Sequence, residues 1–156
     1  MKRFNFFTTQ LYSMIAKGVG EWAMPWAANR GIDLFQKRLV FVPVNQDLHW
    51  SLAVLVNPGA VTFSLPTGGR HAQSDTSLPM PCILTMDSLS GQHCAYTVSS
   101  DLRRWLNLHW ESLGYHKVYK RMSPFNEDSL PLVQVDGTEL LCSARFSCIR
   151  VTYLTL

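Results

Sequence analysis

Hydrophobic positions along the chain change rhythm several times, and each rhythm predicts a different element. From Asn5 to Lys17, the apolar residues Phe6, Phe7, Leu11, Met14 and Ile15 recur near helical spacing. This predicts an amphipathic helix ended by Gly18. Residues 19–31 hold Trp22, Pro25, Trp26 and two glycines and read as an irregular stretch with aromatic anchors; Ile32 to Gln36 reads as a short helix or turn. Leu39 to Val44 and Ser51 to Val56 are short, nearly continuous apolar runs rich in β-branched residues, the pattern of strands buried on both faces. Asn45-Gln46-Asp47 is the expected turn between them, and Pro43 points to an edge or a strand terminus.

Residues 57–81 break the pattern. Asn57-Pro58-Gly59, Pro66-Thr67-Gly68-Gly69 and Ser74-Asp75-Thr76-Ser77 are dense turn chemistry, so a surface insertion between strands is expected. Cys82 to Met86 resumes as a third strand ending at Asp87. Ser99 to Leu113 is a second amphipathic helix, with Ser99 or Ser100 as its cap and Leu102, Trp105, Leu106 and Trp110 on one face; Gly114 stops it. Strands flanked by helices indicate an α+β or α/β domain, and 156 residues suffice for one core.

Composition narrows the class of protein. With 47% hydrophobic and 16% charged residues the chain is globular, and its net charge of +3 is spread without a basic stripe, which gives nucleic-acid binding no support. Cys82, Cys94, Cys142 and Cys148 form no C-x-x-C pair, so no metal site is expected, and free thiols fit a reducing, intracellular compartment, nuclear or cytoplasmic. The basic start, Met1-Lys2-Arg3, is followed too soon by Thr8-Thr9-Gln10 for a signal peptide, and no run approaches the roughly 20 apolar residues of a membrane span.

Two polar residues sit where apolar strands end: His49 in Asp47-Leu48-His49-Trp50-Ser51-Leu52, and Asp87 in Thr85-Met86-Asp87-Ser88-Leu89. Taken singly, His49 reads as a structural histidine and Asp87 as a turn cap. On neighbouring strand ends the pair has a chemical use. The carboxylate holds one imidazole nitrogen, fixing the tautomer and stabilising imidazolium, while the other nitrogen activates a nucleophile.

The run Phe41 to Leu52 resembles the histidine motif of the SUMO/ubiquitin-like-protein proteases, a papain-like cysteine peptidase family. Thr85 to Leu89 is similar to the family's aspartate motif, Asp101 to Leu106 to the helix that follows it, and Asn5 to Leu11 to a segment upstream of its tryptophan region. The resemblance covers roughly residues 5–138 and implies an α+β, papain-like fold with a central mixed sheet flanked by helices, here incomplete. It implies His49 as general base, Asp87 as its orienting partner and Trp50 beside the site, with Trp22 or Trp26 in a tryptophan wall admitting a Gly-Gly tail. The implied partner is SUMO or a related ubiquitin-like modifier with its conjugates. No cofactor, nucleic acid or membrane is implied, and a monomer is expected. Residues 57–81 resemble an insertion of the subgroup acting on modifier chains. The resemblance starts near Met1, so an earlier segment that helps hold the modifier is expected to be missing.

One motif departs from the family. Its pattern of glutamine, five residues, then nucleophile falls on Gln134 as oxyanion-hole donor, Asp136-Gly137, Glu139 and then Leu140. Leucine offers no nucleophilic atom. Cys142, two residues on, is a displaced substitute that would have to come within hydrogen-bond reach of His49. Glu139-Leu140 is also what Asp-Cys codons GAC-TGC become after one inserted base, GAA-CTG. Residues 1–138 are therefore expected to be a partial catalytic domain and residues 139–156 an aberrant tail, frameshifted or mis-spliced. Two functions follow from the resemblance: an isopeptidase that removes the modifier, and a catalytically dead relative that binds the modifier without cleaving it.

Overall fold

A computed structural model describes residues 3–18, 32–63, 80–87 and 94–136. Five strands form one sheet in the order β1-β2-β3-β4-β5: β1 is Phe4–Phe6, β2 Leu39–Gln46, β3 His49–Val56, β4 Cys82–Asp87 and β5 Leu132–Asp136. The β1–β2 and β4–β5 pairs are parallel and the two central pairs antiparallel, so the sheet is mixed. The helices are α1 (Thr9–Ala16), α2 (Ala60–Phe63), α3 (Ala95–Ser112) and α4 (Tyr115–Tyr119), with a 3-10 turn at Leu34–Gln36. This is the α+β architecture that the strand and helix rhythms imply.

Alternation decides which sheet face is covered. Val40, Val42 and Val44 of β2, Ala53 and Leu55 of β3 and Ile83 of β4 point to one side, where they join Leu11, Tyr12 and Ile15 of α1 and Leu102, Trp105, Leu106 and Trp110 of α3 in one core. Each fully buried side chain of this size contributes about 1.5–3 kcal/mol. The other face holds a smaller cluster around Val54, Val56 and Cys82, edged by half-buried Leu39, Phe41, Leu52 and Leu84. Burial on both faces, expected for the two apolar runs, is therefore corrected for β2, where burial alternates along the strand.

Several boundaries also differ from expectation. The first helix begins only at Thr9, because Phe4 and Phe6 alternate as a strand residue pair does, and β1 joins β2 with Phe6 stacked on Phe41 at 4.4 Å. β2 runs on through Pro43 to Gln46; β1 reaches only as far as Phe41, so the missing Pro43 N–H faces a side with no strand among the described residues. The start of the supposed insertion belongs to the domain: Gly59 lies against the Phe35 carbonyl, and Val61 is buried in the main core. Residues 64–79 lie outside the described residues. The long helix starts at Ala95 with Cys94 as its cap rather than Ser99 or Ser100. Ser99 is buried inside it, donating to the Tyr96 carbonyl at 3.0 Å and accepting from Arg103. Gly114 does end α3, with a left-handed φ of +73°.

Candidate active site

The β2–β3 hairpin turns on two residues, Asp47 and Leu48, both at positive φ (51° and 63°). That is the hand of turn that fits twisted antiparallel strands. The tight turn makes His49 the first residue of β3, opposite Gln46. Asp87 is the last residue of β4, opposite Ser51. Because side chains alternate along a strand, His49 and Ser51 share a face, and Asp87 shares it with Ser51. His49 and Asp87 are thus diagonal neighbours across the β3–β4 pair, within reach of long side chains.

They meet. His49 Nε2 lies 2.5 Å from Asp87 Oδ1, with both side chains mostly buried, at 12% and 18% exposure. An ionised carboxylate can only accept, so with Asp87 charged the contact has Nε2 as donor and leaves Nδ1 as the other ring nitrogen. Low exposure strengthens the bond, since little water competes for either partner.

The same register places Gln134. β5 runs parallel to β4 with Gln134 opposite Thr85, so it shares the face of Asp87, two residues back from the strand end, and is exposed. That Gln134 stands on a strand was not read from the sequence, although Pro131 and the flanking Val133 and Val135 signal one. Trp50 lies on the opposite face from His49 and is 59% exposed despite its size. Leu48, at the hairpin tip, is 98% exposed. Trp22, Trp26, Leu140 and Cys142 lie outside the described residues. Among the described residues no group of three His, Cys, Asp or Glu could hold a metal ion, and no helix is long and apolar enough to cross a membrane.

Residues 1–134 match the family described as "Ulp1 protease family, C-terminal catalytic domain". The chain belongs to the Ulp1 protease family. Among its relatives in this family, a probable ubiquitin-like-specific protease 2B of Arabidopsis thaliana is 37% identical over 101 residues, covering 58% of this chain and 10% of that protein. Ubiquitin-like-specific protease 2 of Schizosaccharomyces pombe is 25% identical over 138 residues, 71% of this chain and 20% of the relative. A solved structure of a de-sumoylating protease superposes with a TM-score of 0.60 at 17% identity, covering 85% of this chain and 42% of the other. The Ulp1 domain bound to Smt3, the yeast ortholog of SUMO, gives 0.53 at 14% identity over 86% of this chain and 47% of that one. These two structures share the fold. The chain spans under half of each, and a fifth or less of these two curated relatives.

Proposed function

We propose that this chain carries the histidine–aspartate half of a thiol peptidase that cleaves SUMO or a related ubiquitin-like modifier from its conjugates. The observation that carries the reading is the His49 Nε2–Asp87 Oδ1 contact at the mouth of two adjoining strands. Membership of the Ulp1 protease family supports it.

In such a reaction Nδ1 of His49 takes the thiol proton, and the imidazolium so formed favours thiolate at neutral pH. The thiolate sulfur attacks the carbonyl carbon of the modifier's terminal glycine. Gln134 is the candidate donor to the resulting oxyanion. Collapse breaks the C–N bond, the departing lysine amine takes the proton from His49, and water then hydrolyses the thioester. Asp87 holds the ring in orientation throughout and offsets its positive charge. Trp50, large and exposed at the strand end that carries His49 but on the other face of the sheet, is the candidate surface for the modifier's tail where it rounds that end, with Trp22 or Trp26 as its counterpart.

A second reading is favoured by one residue. Leu140 stands at the nucleophile position of the family pattern. On this reading residues 139–156 depart from the catalytic domain, and the chain binds a modifier without cutting it. The two readings separate when the chain is incubated with SUMO carrying a C-terminal vinyl sulfone and analysed by intact mass, beside a pull-down with unmodified SUMO. An adduct that disappears in Cys142→Ala establishes the enzyme with a displaced nucleophile. Capture without adduct establishes the binding protein. Neither capture nor adduct rejects both.

A further inference from the structure

At the end of the sheet remote from His49, α4 and the residues after it gather positive charge that has no ion-pair partner among the described residues. Gly114 turns the chain from α3 into α4, which Tyr115 holds beside the 3-10 turn that precedes β2. Tyr115 donates to Asp33 Oδ2 at 2.7 Å and rests on Phe35 and Trp110. Tyr119 also packs against Trp110, its ring tilted at 39°, and Trp110 Nε1 donates to the Arg121 carbonyl at 2.9 Å. Arg121 in turn donates to the Val61 carbonyl of α2. The platform is therefore tied to the core at both ends, beside the 3-10 turn that leads into the start of β2, whereas the dyad lies where β2 ends and β3 begins.

The outward side of this platform is basic and apolar together. Lys117 and Lys120 are exposed, and neither joins an ion pair among the described residues. Arg121 follows directly. Between and beside them Val118 is 72% and Met122 63% exposed. Lys120 is held at a left-handed φ of 53°, an uncommon conformation for a lysine, which fixes the direction in which the chain leaves α4. Solvated lysines alone need no explanation. Three cations in five residues, interleaved with two exposed apolar side chains on a rigid aromatic base, differ from the dispersed charge of the rest of the chain.

We infer that Lys117, Lys120, Val118 and Met122, with half-buried Arg121 at their edge, form a docking surface for an acidic polypeptide segment that carries apolar side chains. The cations match its carboxylates, and the valine and methionine give its apolar residues a surface that pure charge attraction would not need. The inference stands whether or not the chain cleaves a modifier, because this surface is remote from His49.

The full chain is titrated into a fluorescein-labelled, capped peptide of glutamates punctuated by leucines, and binding is read by anisotropy. Duplex DNA and phosphatidylserine vesicles are run in parallel. The expected result is saturable binding of the peptide that weakens about tenfold or more in Lys117→Glu/Lys120→Glu and several-fold in Val118→Ser/Met122→Ser, with circular dichroism unchanged. These side chains are exposed, so the variants keep the fold. Equal binding by the wild type and the charge-reversed variant overturns the inference. So does tighter binding to DNA or to vesicles than to the peptide, or insensitivity to Val118→Ser/Met122→Ser.

Discussion

His49 reaches Asp87 across the β3–β4 pair at 2.5 Å because the hairpin turn ends one residue before the histidine. A turn one residue longer would set His49 on the other face, where Trp50 now stands. The geometry of the dyad is thus set by backbone register, and the two-residue turn is part of the site.

That turn is strained, which gives a first prediction. Leu48 is fully exposed at φ 63°, where a side chain costs about 1–2 kcal/mol and glycine costs none. Leu48→Gly loses no buried area, and after the added flexibility of the unfolded chain it should stabilise the domain by about 0.5–1 kcal/mol. Urea unfolding should show a higher midpoint with the same slope.

Gly59 shows the opposite case. A Cβ there would fall 2.0 Å from the Phe35 carbonyl oxygen, a backbone atom that cannot move without dislodging the 3-10 turn. Gly59→Ala should lower stability by about 2 kcal/mol or more, seen as a fall in the urea midpoint.

His109 makes stability depend on pH. It is fully buried in α3, its ring 5.5 Å from Phe35 and 6.1 Å from Trp105, and neither ring nitrogen has a hydrogen-bond partner among the described residues. Burial pulls its pKa down from 6.5 to about 4, with Asp33 opposing only in part. The unfolded chain therefore binds a proton that the folded chain refuses between these values. Stability is full above about pH 6.5 and falls as the pH drops towards 4, by about 2 kcal/mol at pH 5. His109→Phe should remove this part of the slope, measured as the difference in unfolding free energy between pH 7 and pH 5.

The tryptophans divide by burial. Trp110 is buried among Phe35, Tyr115, Tyr119 and Phe125, so Trp110→Ala should cost about 3–5 kcal/mol. Trp50→Ala should leave the thermal melt nearly unchanged, since the side chain is 59% exposed, and should weaken modifier binding about tenfold. Differential scanning fluorimetry and a binding titration on the same preparations check both.

The sequence made the central strands, the buried helix face and the His49–Asp87 pairing legible, because apolar runs and polar strand ends are local signals. It misled where tertiary contacts override them. Phe4 and Phe6 fit a helix rhythm until β2 offers a strand partner, and Ser99 looks like a cap until Arg103 and the Tyr96 carbonyl engage its hydroxyl. Pairing register is not written in either strand alone, so the choice of Nε2 for Asp87 and the placing of Gln134 beside Thr85 emerged only from the fold. The α4 platform went unseen for the same reason, since five residues carry too short a period to read.

We propose that the strand end carrying His49 and Trp50 recognises the tail of a ubiquitin-like modifier. Isothermal titration of the full chain with SUMO ending in Gly-Gly, and with SUMO lacking those two glycines, tests it most directly. Binding that weakens at least tenfold without the glycines, and equally in Trp50→Ala, is the predicted result. Binding indifferent to both changes, or no binding to the intact modifier, would contradict it.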